Sequence, residues 1–213
     1  MQAAERLLIS NNWIAILFVF CLLILFLLKV FNAEKMRGYS LSIFNKGFVE
    51  ITSQEKSSVF SLVDIGFTGF SFLSISLTIY FAFVSYQNSE IFSLVEYSKM
   101  ASYVLMYMLG RSLIEAVVMR LLAIKEALAY FFLSKRSYLY SISIGLFFLN
   151  LLYFYGFKEI NFLLLGIVLL FVIRFALILI NNKSLIIKEL FYFILYLCAF
   201  EIAPLLILFK LIF

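Results

Sequence analysis

The sequence predicts an all-α fold: a polytopic membrane protein with about six transmembrane helices in one bundle. Three observations carry this prediction. Hydrophobic residues make up 65% of the 213 positions and charged residues 14%, where a soluble domain carries roughly 25% charged residues. The mean hydropathy is +1.10. The apolar runs are long and continuous, near the roughly 20 residues that a membrane helix needs, whereas barrel strands would alternate apolar and polar residues over about ten positions. A soluble fold of this length exposes too many of its atoms to hide so much apolar surface, so lipid must cover part of it.

The first span runs from Trp13 to Phe31 (13–31). Trp13 to Leu28 carries no polar side chain apart from the indole, and Lys29 is placed to snorkel to an interface. The apolar stretch is longer than that of a signal peptide and no small-residue cleavage site follows it, so it is expected to remain as a helix. Residues 32–57 form the longest hydrophilic segment. Lys35, Arg37, Lys46 and Lys56 alternate there with Tyr39, Leu41, Phe44, Phe48 and Ile51, a mixture expected of cytoplasmic interfacial helix that does not span.

The second span, 59–84, is rich in small residues in its first half. Gly66 and Gly69 are the expected close-packing positions. The third, 100–122, is the most polar. Residues 123–136 are expected either to extend it or to form a separate surface segment. The fourth, fifth and sixth spans are expected at 137–157, 160–180 and 185–213, with a tight hairpin at Gly156 to Glu159. No repeat or linker divides the chain, so residues 1–213 read as a single transmembrane domain.

Charge sets the orientation. The formal charge is +5, from 17 Lys and Arg against 12 Asp and Glu. Eleven cations fall in the segments after spans one, three and five, including Lys135 and Arg136, and four on the opposite side: Arg6, Lys99, Lys158 and Lys210. Lys and Arg collect on the cytoplasmic side of membrane proteins. This predicts both termini outside the cytoplasm, and it accounts for the basic balance without nucleic acid as a partner. The Asn182-Lys183-Ser184 glycosylation pattern then lies on the wrong side to be used.

Several chemistries are absent from the sequence. The chain has no His, which removes Ser-His and Cys-His nucleophilic sites and His-ligated zinc. Cys21 and Cys198 each sit inside an apolar run and read as packing residues. Phosphate-loop, HExxH and GxSxG signatures are missing. No cofactor, no metal and no catalytic residue is expected.

The candidate site residues are ionisable groups within the spans, where each costs roughly 3 kcal/mol on insertion scales. They are Asp64, Arg111, Glu115, Arg174 and Glu201. Arg111 and Glu115 are spaced i,i+4 and share a helix face, which Tyr103 and Tyr107 are expected to continue as a polar stripe. Asp64 and Arg174 lie near enough to a boundary to snorkel instead. Pro204, three residues after Glu201, removes a helical hydrogen bond and predicts a kink there. Such a network fits a proton, ion or substrate path. It fits better ion pairs that hold helices in register, and also charges that meet another subunit.

The run from Phe191 to Lys210 carries Tyr196-Leu-Cys-Ala-Phe-Glu-Ile-Ala-Pro204. It resembles the closing helix of an uncharacterised multi-pass family of Bacteroidota, a domain of unknown function, with a YLC-x-x-E-I-x-P core and a Lys near the end. The stretch from Met36 to Phe83 is similar to that family's loop and following helix. The resemblance implies a Gram-negative inner membrane and draws attention to Glu201 and Pro204, but it implies no activity. The expected function is a non-enzymatic inner-membrane subunit or scaffold of a cell-envelope complex, with the lipid bilayer and other membrane or envelope subunits as partners. A small transporter or ion-coupled channel is the alternative, and a lipid-modifying enzyme comes third.

Overall fold

A computed structural model describes residues 12–42, 62–87, 92–121, 125–156 and 159–181, without the side chains of 118–129. The described residues form six helices: α1 (Asn12–Phe31), α2 (Ala33–Ser40), α3 (Leu62–Tyr86), α4 (Leu94–Leu121), α5 (Lys125–Tyr155) and α6 (Ile160–Asn181). Four of them, α1, α3, α5 from Tyr130 onward, and α6, are long and apolar enough to cross a membrane. The expected span 185–213, with Cys198, Glu201 and Pro204, and most of the expected interfacial segment lie outside the described residues.

Two helices are central and two peripheral. Over their most apolar windows α3 and α5 are 56% buried, against 22% for α1 and 17% for α6. The buried residues of α1, Ile14, Phe18, Cys21 and Leu28, recur at helical spacing and form one stripe. Its other faces expose Ile16, Val19, Phe20 and Phe26, as expected of a helix that touches lipid on most sides. Burial in α3 runs around the helix, from Val63 and Phe67 through Ser71, Ser74, Thr78 and Tyr80 to Val84.

Contacts fix the helix directions. Leu28 meets Gly66 near one end of the α1–α3 pair, and Trp13 meets Tyr80 near the other, with ring centroids 5.8 Å apart, so the two helices are antiparallel. α3 and α5 run parallel, since the ring pairs Phe67–Tyr140, Phe70–Phe147 and Phe81–Phe154 advance together along both. α5 and α6 are antiparallel and meet through reciprocal glycines. A β-carbon on Gly145 would lie 3.2 Å from Leu170 Cδ2, and one on Gly166 would overlap Leu149 Cδ1. Each glycine is thus the hole for a leucine of the facing helix, the close approach that association in lipid requires.

Three sequence expectations change. Residues 125–136 belong to the same continuous helix, α5, as the span expected from 137, and the membrane-crossing stretch of that helix starts at Tyr130. They neither extend the third span nor form a separate segment. Lys135 and Arg136, counted as loop cations, lie inside α5 and pair with Glu115 of α4, so the helix need not stop to hydrate them. Of the two glycines expected at close contacts, Gly66 fits, with Leu28 Cδ2 2.6 Å from its hypothetical β-carbon. Gly69 faces open space, and the tight positions Gly145 and Gly166 lie on other helices.

Candidate functional site

Most of the polar side chains named by the sequence gather at one end of the bundle, where α1, α4 and α6 finish and α3 and α5 begin. Two clusters form there.

The first joins α4 to α5. Arg111 and Glu115, one turn apart on α4, form an ion pair with Nε 3.3 Å from Oε1. Lys135 Nζ lies 3.7 Å from the same oxygen, and Arg136 Nη2 lies 3.8 Å from Oε2. The last two distances are charge contacts rather than short hydrogen bonds. The Lys135 side chain is only 3% exposed and that of Glu115 11%, so water screens this pair little. Arg136, at 37% exposed, reaches the surface. One carboxylate thereby fixes the rotation of α4 against α5.

The second cluster docks α2 onto α3 and α5. Asn32 caps α2 by accepting the Lys35 backbone N–H at 2.9 Å. The Tyr39 hydroxyl donates to Asp64 Oδ1 at 2.8 Å. Thr68 lies 2.7 Å from the Asp64 carbonyl and 2.9 Å from the Tyr140 hydroxyl. Thr68 donates to the carbonyl, and the Tyr140 hydroxyl, 3.3 Å from that same carbonyl, donates to it or to Thr68. Ser42 donates to the Ser137 carbonyl at 3.1 Å, and Ser141 to the Ser40 carbonyl at 2.7 Å. The rings of Tyr39, Phe67 and Tyr140 pack on one another at 5.3 to 5.4 Å. Burial, then the charge of Asp64 and its hydrogen bond, hold the Tyr39 hydroxyl far above its ordinary pKa, so it stays a donor. The described part of the segment expected to lie on the membrane surface, residues 32–42, contains a short helix fastened onto α3 and α5.

The expected stripe on α4 does not hold as one face. Tyr103 is 39% exposed, Tyr107 half-buried and Glu115 buried. Steps of four residues advance about 40° each, so Tyr103 and Glu115 stand about 120° apart around the helix. Arg174 of α6 is buried, with 8% exposure, rather than extended to the surface. Glu201, the remaining charged candidate, lies outside the described residues, as does the expected kink at Pro204.

Sequence reasoning missed several polar residues. Lys135 and Arg136 were hidden by their place in a presumed loop, and Tyr39 and Tyr140 by their aromatic character. Asn150 did carry a signal, as the lone amide in the apolar run from Leu146 to Tyr155. It is fully buried and donates to the Ser74 carbonyl at 3.1 Å and to Thr78 Oγ1 at 2.9 Å. Ser74 in turn donates to the Ser143 carbonyl at 2.9 Å. These bonds make a polar seam between α3 and α5. Leu164, Leu165, Val168, Leu169, Val172 and Ile173 form an open apolar face on α6.

Residues 14–212 match a family described as a domain of unknown function, DUF4271. The chain belongs to this family, and the match includes both stretches on which the resemblance was drawn. No curated protein and no solved structure matches the chain.

Proposed function

We propose that this DUF4271 member is a non-enzymatic subunit or scaffold of a cell-envelope complex in a bacterial inner membrane. The observation that carries the reading is the use made of the intramembrane acids. Glu115 ties α4 to α5 and Asp64 ties α2 to α3, so each spends its charge on a neighbouring helix. Carboxylates paired in this way support a role in holding helix register.

The proposal includes six spans. α4 has 28 residues and is about 42 Å long, more than the roughly 30 Å hydrocarbon core. Tyr97 near its start packs on Tyr80, and Glu115 near its end reaches Lys135, so it runs alongside α3 and α5. The sixth span expected from the sequence, 185–213, lies outside the described residues. The end bearing Lys29, Lys35, Arg37, Lys135 and Arg136 is cytoplasmic by the positive-inside rule, which leaves both termini periplasmic. Single cysteines at each terminus should label from the periplasm in intact cells. A C-terminus that labels only after the inner membrane is opened sinks this topology.

Purification in mild detergent tests the function. A stoichiometric protein partner whose association is lost with Glu115→Gln supports a subunit role. The second reading, a small transporter, is favoured by the seam of Ser74, Thr78, Ser143 and Asn150. Ion flux from the pure protein in vesicles, abolished by Asn150→Leu, would favour it over the scaffold.

A further inference from the structure

Cations at the polar end fall into two sets. Arg111, Lys135 and Arg136 are committed to Glu115. Lys29, in the last turn of α1, and Arg37, in the last turn of α2, are exposed and form no ion pair with the described residues. They flank the elbow at Asn32, whose backbone N–H still bonds to the Leu28 carbonyl and whose own carbonyl accepts from Met36. The elbow is therefore a tight, hydrogen-bonded bend.

Its orientation is fixed as well. Tyr39, Ser40 and Ser42 fasten α2 to α3 and α5, which turns the buried face of α2 inward and leaves Arg37 outside. The acid of α2, Glu34, lies in the first turn, where it complements the helix N-terminus. With Lys35 also present, the elbow keeps a positive balance. Beside the cations, Val30 and Phe31 are about two-thirds exposed, at 66% and 67%, and Leu41 is 43% exposed. Apolar side chains and cations that form no ion pair among the described residues thus stand side by side where a membrane-spanning helix ends. That is the amphipathic pattern of a lipid headgroup boundary.

We propose that the α1–α2 elbow binds the headgroup of an anionic phospholipid, with Lys29 and Arg37 at the phosphate and Phe31 and Leu41 along the acyl chains. The cations supply the charge complementarity, and the bonds of Tyr39, Ser40 and Ser42 fix the backbone that carries Arg37, so that backbone need not be ordered on binding. Each basic residue at an anionic membrane surface changes binding about five-fold.

Native mass spectrometry of the full chain, loaded with equal phosphatidylglycerol and phosphatidylcholine, tests the site. The wild type should retain phosphatidylglycerol preferentially. The Lys29→Gln/Arg37→Gln variant should lower that preference by about 25-fold, without a change in melting temperature in phosphatidylcholine alone, since both side chains are exposed. Lys99→Gln removes an exposed cation near the opposite end of the bundle and should leave the preference unchanged. Equal retention of the two lipids by the wild type overturns the proposal. So does a preference that survives the double substitution, or one that Lys99→Gln lowers as much.

Discussion

At the end of the bundle where α1 finishes and α3 begins, helices are joined through charges and hydroxyls. At the end where α1 begins and α3 finishes, they are joined through rings. Trp13, Tyr80, Phe81, Phe92, Tyr97, Tyr153 and Phe154 pack there in one group, with centroid separations from 5.3 to 6.3 Å. Their polar tips are satisfied locally. Trp13 donates to the Phe92 carbonyl, Tyr80 to the Ser93 carbonyl and Tyr97 to Ser76. The contrast follows from what lipid does to each force. Apolar area gains little when a side chain leaves lipid for protein, so rings contribute through close packing and geometry. A charge loses much if it faces lipid, so one carboxylate can fix the relation of two helices.

The sharpest break in that contrast is Glu115→Gln. It leaves Lys135, buried in the bundle, without the carboxylate it shares with two arginines. Thermal unfolding in detergent should show a loss of about 3 kcal/mol. Phe81→Ala at the ring end should cost about 2 kcal/mol, below the aqueous range because lipid or detergent also solvates the ring in the unfolded chain. Added salt separates the two ends further. It should weaken the wild type slightly through the surface-reaching Arg136, leave the Phe81→Ala difference unaltered, and shrink the Glu115→Gln difference. A salt response of the same size in both variants would erase the distinction.

Gly166→Ala probes the region between the ends. The added methyl meets Leu149, itself buried, and forces α5 and α6 apart or Leu149 into another rotamer, at about 1 to 3 kcal/mol. The same change at Gly69, where nothing lies within 4 Å, should be neutral or slightly stabilising. Comparing the two melting temperatures checks this directly.

Smallest of all should be Tyr39→Phe, which removes the bond to Asp64 but keeps the ring among Phe67 and Tyr140, at about 1 kcal/mol. Its effect carries a pH signature. The folded pKa of Tyr39 is raised, so its contribution is complete below the ordinary tyrosine value of about 10 and is lost as pH rises beyond it. The gap between wild type and Tyr39→Phe should therefore be constant through neutral pH and narrow above it. A gap that widens with alkali would mean that the hydroxyl ionises more readily in the fold than outside it.

The sequence determined what depends on residue type and local spacing. Long apolar runs placed α1, α3 and α6 close to their observed limits, because a bilayer sets helix length through thickness alone. The i,i+4 rule placed Arg111 beside Glu115, because both sit on one helix. Asp64 and Glu115 stood out as costly charges before any partner was known. Tertiary structure decided every relation that crosses from one helix to another. Whether a cation such as Lys135 ends a span or continues it depends on a carboxylate twenty residues away in another helix. Which glycine is a hole depends on the facing leucine, so Gly166 and Gly145 were silent in the sequence while Gly69 looked eligible. Tyr39 reads as an interfacial aromatic until α2 folds back onto Asp64. A helix fixes neighbours within a turn, and only packing fixes which faces of separate helices meet.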